Sequence, residues 1–169
     1  MDNEIMKNSP EIAQQLFDTL EGNWAGEGRG GYPTVTSFDY RENITFTRRD
    51  EKSLAYEQRT QKRYDGQSEW LVSHWENGFI RILENDELEL INAQMGRGEV
   101  LTGMIDENGP AFKIHFVSKT ITNDPRMVSS ARRFELNGDT LHYEMEMQTT
   151  EVEQMTNHLR ITLHRVKTS

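Results

Sequence analysis

Five histidines, at positions 74, 115, 142, 158 and 164, are the side chains best suited to chemistry in this sequence. None stands in an H-x-x-x-H pair or an H-E-x-x-H zinc motif, so no two share a helical face for metal binding. His115 and His142 fall in strand-like runs, where a surface or hydrogen-bonded histidine is the ordinary state. By strand parity, His158 points with Arg160 and Thr162, away from Leu159, Ile161 and Leu163; read in isolation it faces solvent. There is no cysteine, which removes disulfides, thiolate nucleophiles, zinc fingers, iron–sulfur clusters and covalent haem attachment. Metal chemistry here must use His, Asp, Glu, Met or Tyr. No serine sits in a G-x-S-x-G elbow, and no P-loop is present. The pairs Glu87/Glu89 and Glu144/Glu146 have same-face strand spacing and read as solvated faces.

A glycine-rich stretch accompanies these candidates: Gly22, Trp24, Gly26 and Gly28, followed by Tyr32-Pro33-Thr34. The three glycines share a parity with Trp24, so a strand here carries one large indole on an otherwise bare face. Glycine inside a strand marks a bulge, a barrel bend or a close approach of ligand or backbone. Gly30 and Gly31 add to the stretch, but no helix follows, which argues against a phosphate cradle.

The elements that must position these residues are one helix and many strands. Ser9 is placed to cap a helix over about 9–20, with Pro10 in its first turn and Glu11 at its positive end. Ile12, Leu16 and Leu20 recur at helical spacing, with Ala13 and Phe17 beside them, and Gly22 ends the run. Strand runs follow at 22–29, 35–48, 53–63, 69–75, 78–83, 87–94, 98–105, 111–118, 130–136, 140–148 and 157–166, with 119–129 reading as a loop. Turn signals separate them at Asp65-Gly66, Asn77-Gly78, Asn85-Asp86, Asn108-Gly109-Pro110 and Asn137-Gly138-Asp139. The expected fold is all-β: a single domain over 1–169, with a closed antiparallel barrel of about ten strands, lipocalin-like, over about 22–166. Small barrels of this kind hold one small ligand.

Composition agrees. Only 34% of the 169 residues are hydrophobic and mean hydropathy is −0.80, low for a solid core but suited to a barrel with a wet or ligand-filled interior. A net charge of −9 argues against nonspecific binding to nucleic acid or an anionic membrane. No apolar run approaches the length of a spanning helix, and the N-terminus lacks the features of a signal peptide, so the cytoplasm is the default location.

The motifs resemble the nitrobindin family of haem-binding β-barrels. That family carries G-x-W-x-G-x-G and then Y-P-T-I/V-x-x-F-x-Y; here stand Gly22, Trp24, Gly26 and Gly28, then Tyr32-Pro33-Thr34-Val35 with Phe38 and Tyr40. Leu54, Tyr56, Gln58 and Thr60 are similar to its L-x-Y-x-Q-x-T. His74, Glu76, Gly78, Phe79 and Arg81 resemble its H-x-E-x-G-Y/F-x-R. Ala93-Gln94 through Gly96 to Glu99-Val100, then Leu141 and Tyr143, then His158-Leu159, complete a collinear match over about residues 20–166.

The resemblance implies a pocket for a b-type haem. It gives His158 the role of proximal iron ligand, puts Thr34 at the haem with Phe38 on the same wall, and puts His74 on the distal side; His158 and His74 would carry the catalysis. The bare backbone beside Trp24 would then form one wall of the pocket. It also implies binding of nitric oxide and, in the ferric state, isomerisation of peroxynitrite to nitrate. A non-catalytic carrier or sensor of haem or a small apolar ligand is the alternative. Three features depart from the family pattern. The stretch from Thr60 to His74 is longer by about four residues, enough to carry His74 out of the pocket. The family's F-x-H-x-G turn is replaced by Phe46-Thr47-Arg48-Arg49-Asp50. Arg126 falls near a position where some members have a lysine at the haem; it reads either as a propionate partner or as a solvated loop arginine. If Leu159 and its neighbours face outward, that apolar stripe would make a homodimer contact; otherwise a bulge must change the strand's phase.

Overall fold

A computed structural model describes residues 10–85, 87–106 and 109–167. Helix α1 (Pro10–Leu20) leads into ten antiparallel strands: β1 (Gly22–Tyr32), β2 (Val35–Asp50), β3 (Ser53–Arg63), β4 (Leu71–Ile82), β5 (Leu88–Ala93), β6 (Gly98–Asp106), β7 (Phe112–Thr122), β8 (Met127–Asn137), β9 (Thr140–Thr149) and β10 (Thr156–Arg165). Each strand pairs with its sequence neighbours, and β1 pairs with β10 to close the barrel. Closure leaves no unpaired edge. The expected cap Ser9 lies outside the described residues, as do Asp86 and Asn108 of two expected turns. No helix among the described residues is long and apolar enough to cross a membrane.

The interior is layered along the barrel axis. At one end α1 acts as a plug: Ala13, Leu16, Phe17 and Leu20 are fully buried against Trp24. The Trp24 indole N–H donates to the Leu20 carbonyl at 2.8 Å, satisfying an orphan carbonyl at the helix C-terminus. Arg165 lies over the same indole at 4.4 Å. The segment that replaces the family turn also serves this end, because Arg48 stacks on Phe17 at 5.3 Å and donates to Gln14 and Asp18. An apolar layer of Ile44, Phe46, Leu54, Ile80, Leu101, Phe116 and Leu141 fills the barrel above the plug. Above that comes a layer of buried polar and charged side chains, and then an open cavity.

Two sequence expectations are corrected and one open choice is decided. Asn77-Gly78 is not a turn but the middle of β4, so the runs 69–75 and 78–83 are one strand. A Cβ on Gly78 would lie 2.2 Å from the Ile91 carbonyl oxygen and 2.7 Å from the Tyr56 ring, so glycine is there for close approach. The 119–129 loop shrinks to residues 123–126, because β7 and β8 extend to Thr122 and from Met127; Asn123 takes a left-handed φ of 63° at the tip. At β10, Ile161 and Leu163 are buried and Leu159 packs on the core, so of the two open readings the bulge holds and the leucine stripe faces inward.

Candidate haem site

The cavity lies at the end opposite α1 and has a volume of about 670 Å³, within the range of about 300–1,000 Å³ common for ligand and cofactor sites. Thr34, Phe38, His74, Arg126 and His158 all line it. Gly22, Trp24, Gly26 and Gly28 do not. The glycine face points inward as parity predicts, but β10 fills it: a Cβ on Gly26 would sit 2.1 Å from the Thr162 carbonyl oxygen, and one on Gly28 would sit 2.5 Å from that of Arg160. The bare backbone therefore serves barrel closure and is not itself a pocket wall. Only at Gly30 does it help the cavity, by letting Phe38 and Leu159 lie over the chain.

His158 reaches the cavity through a bulge. The β10–β9 register shifts between Asn157 and Leu159, so one extra residue changes the phase and both His158 and Leu159 line the interior. The ring nitrogen Nδ1 lies 3.1 Å from the Gly31 carbonyl oxygen. A carbonyl only accepts, so Nδ1 carries the proton and Nε2 keeps its lone pair. Tyr32 and Phe38 meet the ring edge-on at 5.9 and 6.2 Å. Burial pushes the His158 pKa below its ordinary value, against the smaller opposing effect of the Gly31 hydrogen bond, which keeps the ring neutral. An immobilised neutral imidazole with a backbone partner on its second nitrogen would suit a haem iron as ligand. The Tyr40 hydroxyl, also on the cavity, is buried with no hydrogen-bond partner among the described residues. With Phe38, Met145, Met147 and Leu159 as apolar lining, these residues fit a haem.

 

The longer β3–β4 connection does not displace His74. His74 pairs directly with Thr60, and both line the cavity; a register shift beside Thr60 and the segment 64–70 absorb the added length. Trp70 anchors that segment on the outer wall between Arg41 and Arg63, at 4.7 and 4.6 Å. Arg126 is the solvated loop arginine: its side chain is 81% exposed and its guanidinium is committed to Asp124 at 3.1 and 3.3 Å. Arg97, not singled out by the sequence motifs, is the more enclosed cation at the mouth, held by Gln94 at 2.8 Å and near Glu99 and Asp124.

Under the cavity lies a charged layer that sequence reasoning missed. Arg132, fully buried, donates to Glu76 at 2.6 and 3.1 Å and to Glu99 at 2.7 Å. Tyr56 donates to Glu76, Ser130 donates to Glu99 at 3.0 Å, and the His74 Nε2 stands 3.1 Å from Glu76. Burial alone would raise the Glu76 pKa, but the Arg132 charge, with hydrogen bonds from His74, Arg132 and Tyr56, holds it at about 2. Glu42 behaves oppositely. Burial outweighs its 2.7 Å hydrogen bond from Gln58, the Glu76 charge adds to the effect, and its pKa rises to about 8. A signal for this layer was present: Arg132 shares strand parity with Phe134, Glu76 with Ile80, and Glu99 with Leu101.

Residues 14–165 match the family described as the THAP4-like, heme-binding beta-barrel domain. A protein named peroxynitrite isomerase 1 from Mycolicibacterium paratuberculosis is 33% identical over 160 residues, covering 92% of this chain and 95% of the relative. One named peroxynitrite isomerase from Nocardia farcinica is 35% identical over 160 residues, covering 92% and 91%. Among solved structures, Rv2717c from M. tuberculosis superposes with a TM-score of 0.81 at 26% identity, over 96% of this chain and 100% of that one. An S-type phycobiliprotein lyase from Guillardia theta shares the fold alone, with a TM-score of 0.63 at 13% identity over 96% and 99%. The chain belongs to the THAP4-like haem-binding β-barrel family, the nitrobindins.

Proposed function

We propose that this protein binds a b-type haem through His158, binds nitric oxide there, and in the ferric state isomerises peroxynitrite to nitrate in the cytoplasm. The observation that carries the reading is the His158–Gly31 hydrogen bond, which leaves a neutral Nε2 lone pair for iron on the cavity wall. Haem held by His158 would supply a Lewis-acidic ferric centre for an anion. The chain's own contribution is positional. The Gly31 carbonyl fixes the His158 ring, Tyr32 and Phe38 brace it, and Thr34 and His74 line the same cavity. Arg97 supplies positive charge at the mouth, where it would meet a haem carboxylate or an incoming anion. The names of the curated relatives support the choice of reaction.

Stopped-flow mixing of peroxynitrite with the ferric, hemin-loaded protein tests this. Faster decay with nitrate as the main product is the expected result. Decay equal to that without protein contradicts catalysis and leaves a haem carrier or sensor.

A further inference from the structure

We propose that Glu76 is a positioning residue for His74: it holds the ring's Nε2–H, so that Nδ1 is the nitrogen offered to an occupant of the cavity. The functional meaning of this pair rests on reading the cavity as the haem site; the geometry does not.

Glu76 is 1% exposed, and four donors converge on its two oxygens. Arg132 reaches both, Tyr56 reaches Oε1, and His74 Nε2 reaches Oε2 at 3.1 Å. Arg132 is in turn held by Glu99, which also accepts from Ser130 and from Gln94 at 2.9 Å. The carboxylate is therefore anchored from β3 and β8 before it meets His74 and cannot turn away. An ionised carboxylate only accepts, so the proton between the two groups belongs to Nε2. Nδ1 has no hydrogen-bond partner among the described residues, while the ring lines the cavity. A neutral His74 thus presents a hydrogen-bond acceptor to the cavity. It engages an occupant bearing O–H or N–H, and becomes a donor to an anion only after taking a second proton, with Glu76 remaining as counter-ion. The arrangement parallels the carboxylate–histidine pairs in which the second partner fixes tautomer and orientation.

The test uses the full chain with ¹⁵N-labelled histidine, and reads the two ring nitrogens of neutral His74 by long-range ¹H–¹⁵N correlation, assigned by the loss of its signals in His74→Asn. A hydrogen bond to a buried charge predicts a preference of about tenfold or more for the Nε2–H form. In Glu76→Gln, whose amide can donate as well as accept, that preference is lost or inverted. Tyr56→Phe, which keeps the carboxylate, retains it. A Nδ1–H ring in the unaltered protein overturns the proposal, as does an Nε2–H preference unchanged in Glu76→Gln. If Glu76→Gln fails to fold, the unaltered protein and Tyr56→Phe still decide. Hemin added to the same samples separates the two readings: a missing Soret shift counts against haem alone, and a missing tautomer preference against the Glu76 role alone.

Discussion

At the end sealed by α1, the barrel interior is Trp24, Leu16, Phe17 and Leu20, all buried and with the indole N–H satisfied by the Leu20 carbonyl. At the open end, the interior is a cavity ringed by His74, His158, Thr34 and Phe38, standing on a layer that contains Arg132 and three buried glutamates. The closed end gains stability from apolar burial and from close packing. The open end spends part of that stability on groups that are costly to bury and must therefore be paired. Most of its polar groups hold one another in place beneath a space that the chain leaves unfilled, while the Tyr40 hydroxyl, Glu42 Oε1 and Arg132 Nε have no hydrogen-bond partner among the described residues. The division separates what holds the fold from what prepares the site.

Arg132→Met should break this comparison most strongly. It leaves Glu76 and Glu99 without their shared cation, and loss of one partner of a buried ion pair costs about 3–5 kcal/mol. Urea denaturation should show it, with altered hemin affinity in whatever folded protein remains. Trp24→Ala removes the centre of the closed end and should cost about 3–5 kcal/mol, yet leave hemin affinity unchanged under native conditions; a large affinity loss would mean that the two ends are coupled. Glu42→Gln sharpens the contrast through pH. In the folded protein Glu42 holds its proton to about pH 8, whereas the unfolded chain releases it near 4.5. The folded state binds more protons in that interval, so stability is complete below about pH 4.5 and falls as pH rises through 8, by at most about 1.4 kcal/mol per unit. Denaturation at pH 5 and pH 9 should therefore show the Gln variant gaining on the wild type at alkaline pH; parallel profiles would contradict a protonated Glu42. Arg126→Ala should have the smallest effect, because the guanidinium is exposed and paired with Asp124. Isothermal titration with hemin should find its affinity close to that of the unaltered protein.

The helix and most strands were legible because their periodicities are clean: Ile12, Leu16 and Leu20 recur at helical spacing, and Leu141, Tyr143 and Met145 alternate with polar neighbours in β9. The direction of His158 was not, since a single bulged residue reverses strand parity and leaves no mark in the local pattern. Family motifs pointed to His158 where parity pointed away from it, and the bulge reconciles them. Asn77-Gly78 misled for another reason. The same dipeptide serves a tight turn or, as in β4, a strand that must let a tyrosine ring and a neighbouring carbonyl come close. The charged layer carried a parity signal, but its meaning depends on Glu76, Glu99 and Arg132 meeting across the barrel from β4, β6 and β8. None of these strands is paired with another of the three, so only the closed fold brings them together.

In the proposed function, a bulge-directed, Gly31-held His158 is what would make this cavity a haem site. Titrating the unaltered protein and His158→Ala with hemin, while following the Soret band, tests it most directly. A saturable Soret shift at one hemin per chain is expected in the unaltered protein, with its collapse in a His158→Ala variant that unfolds at the same urea concentration. No shift in the unaltered protein, or an equal shift in a folded variant, would contradict it.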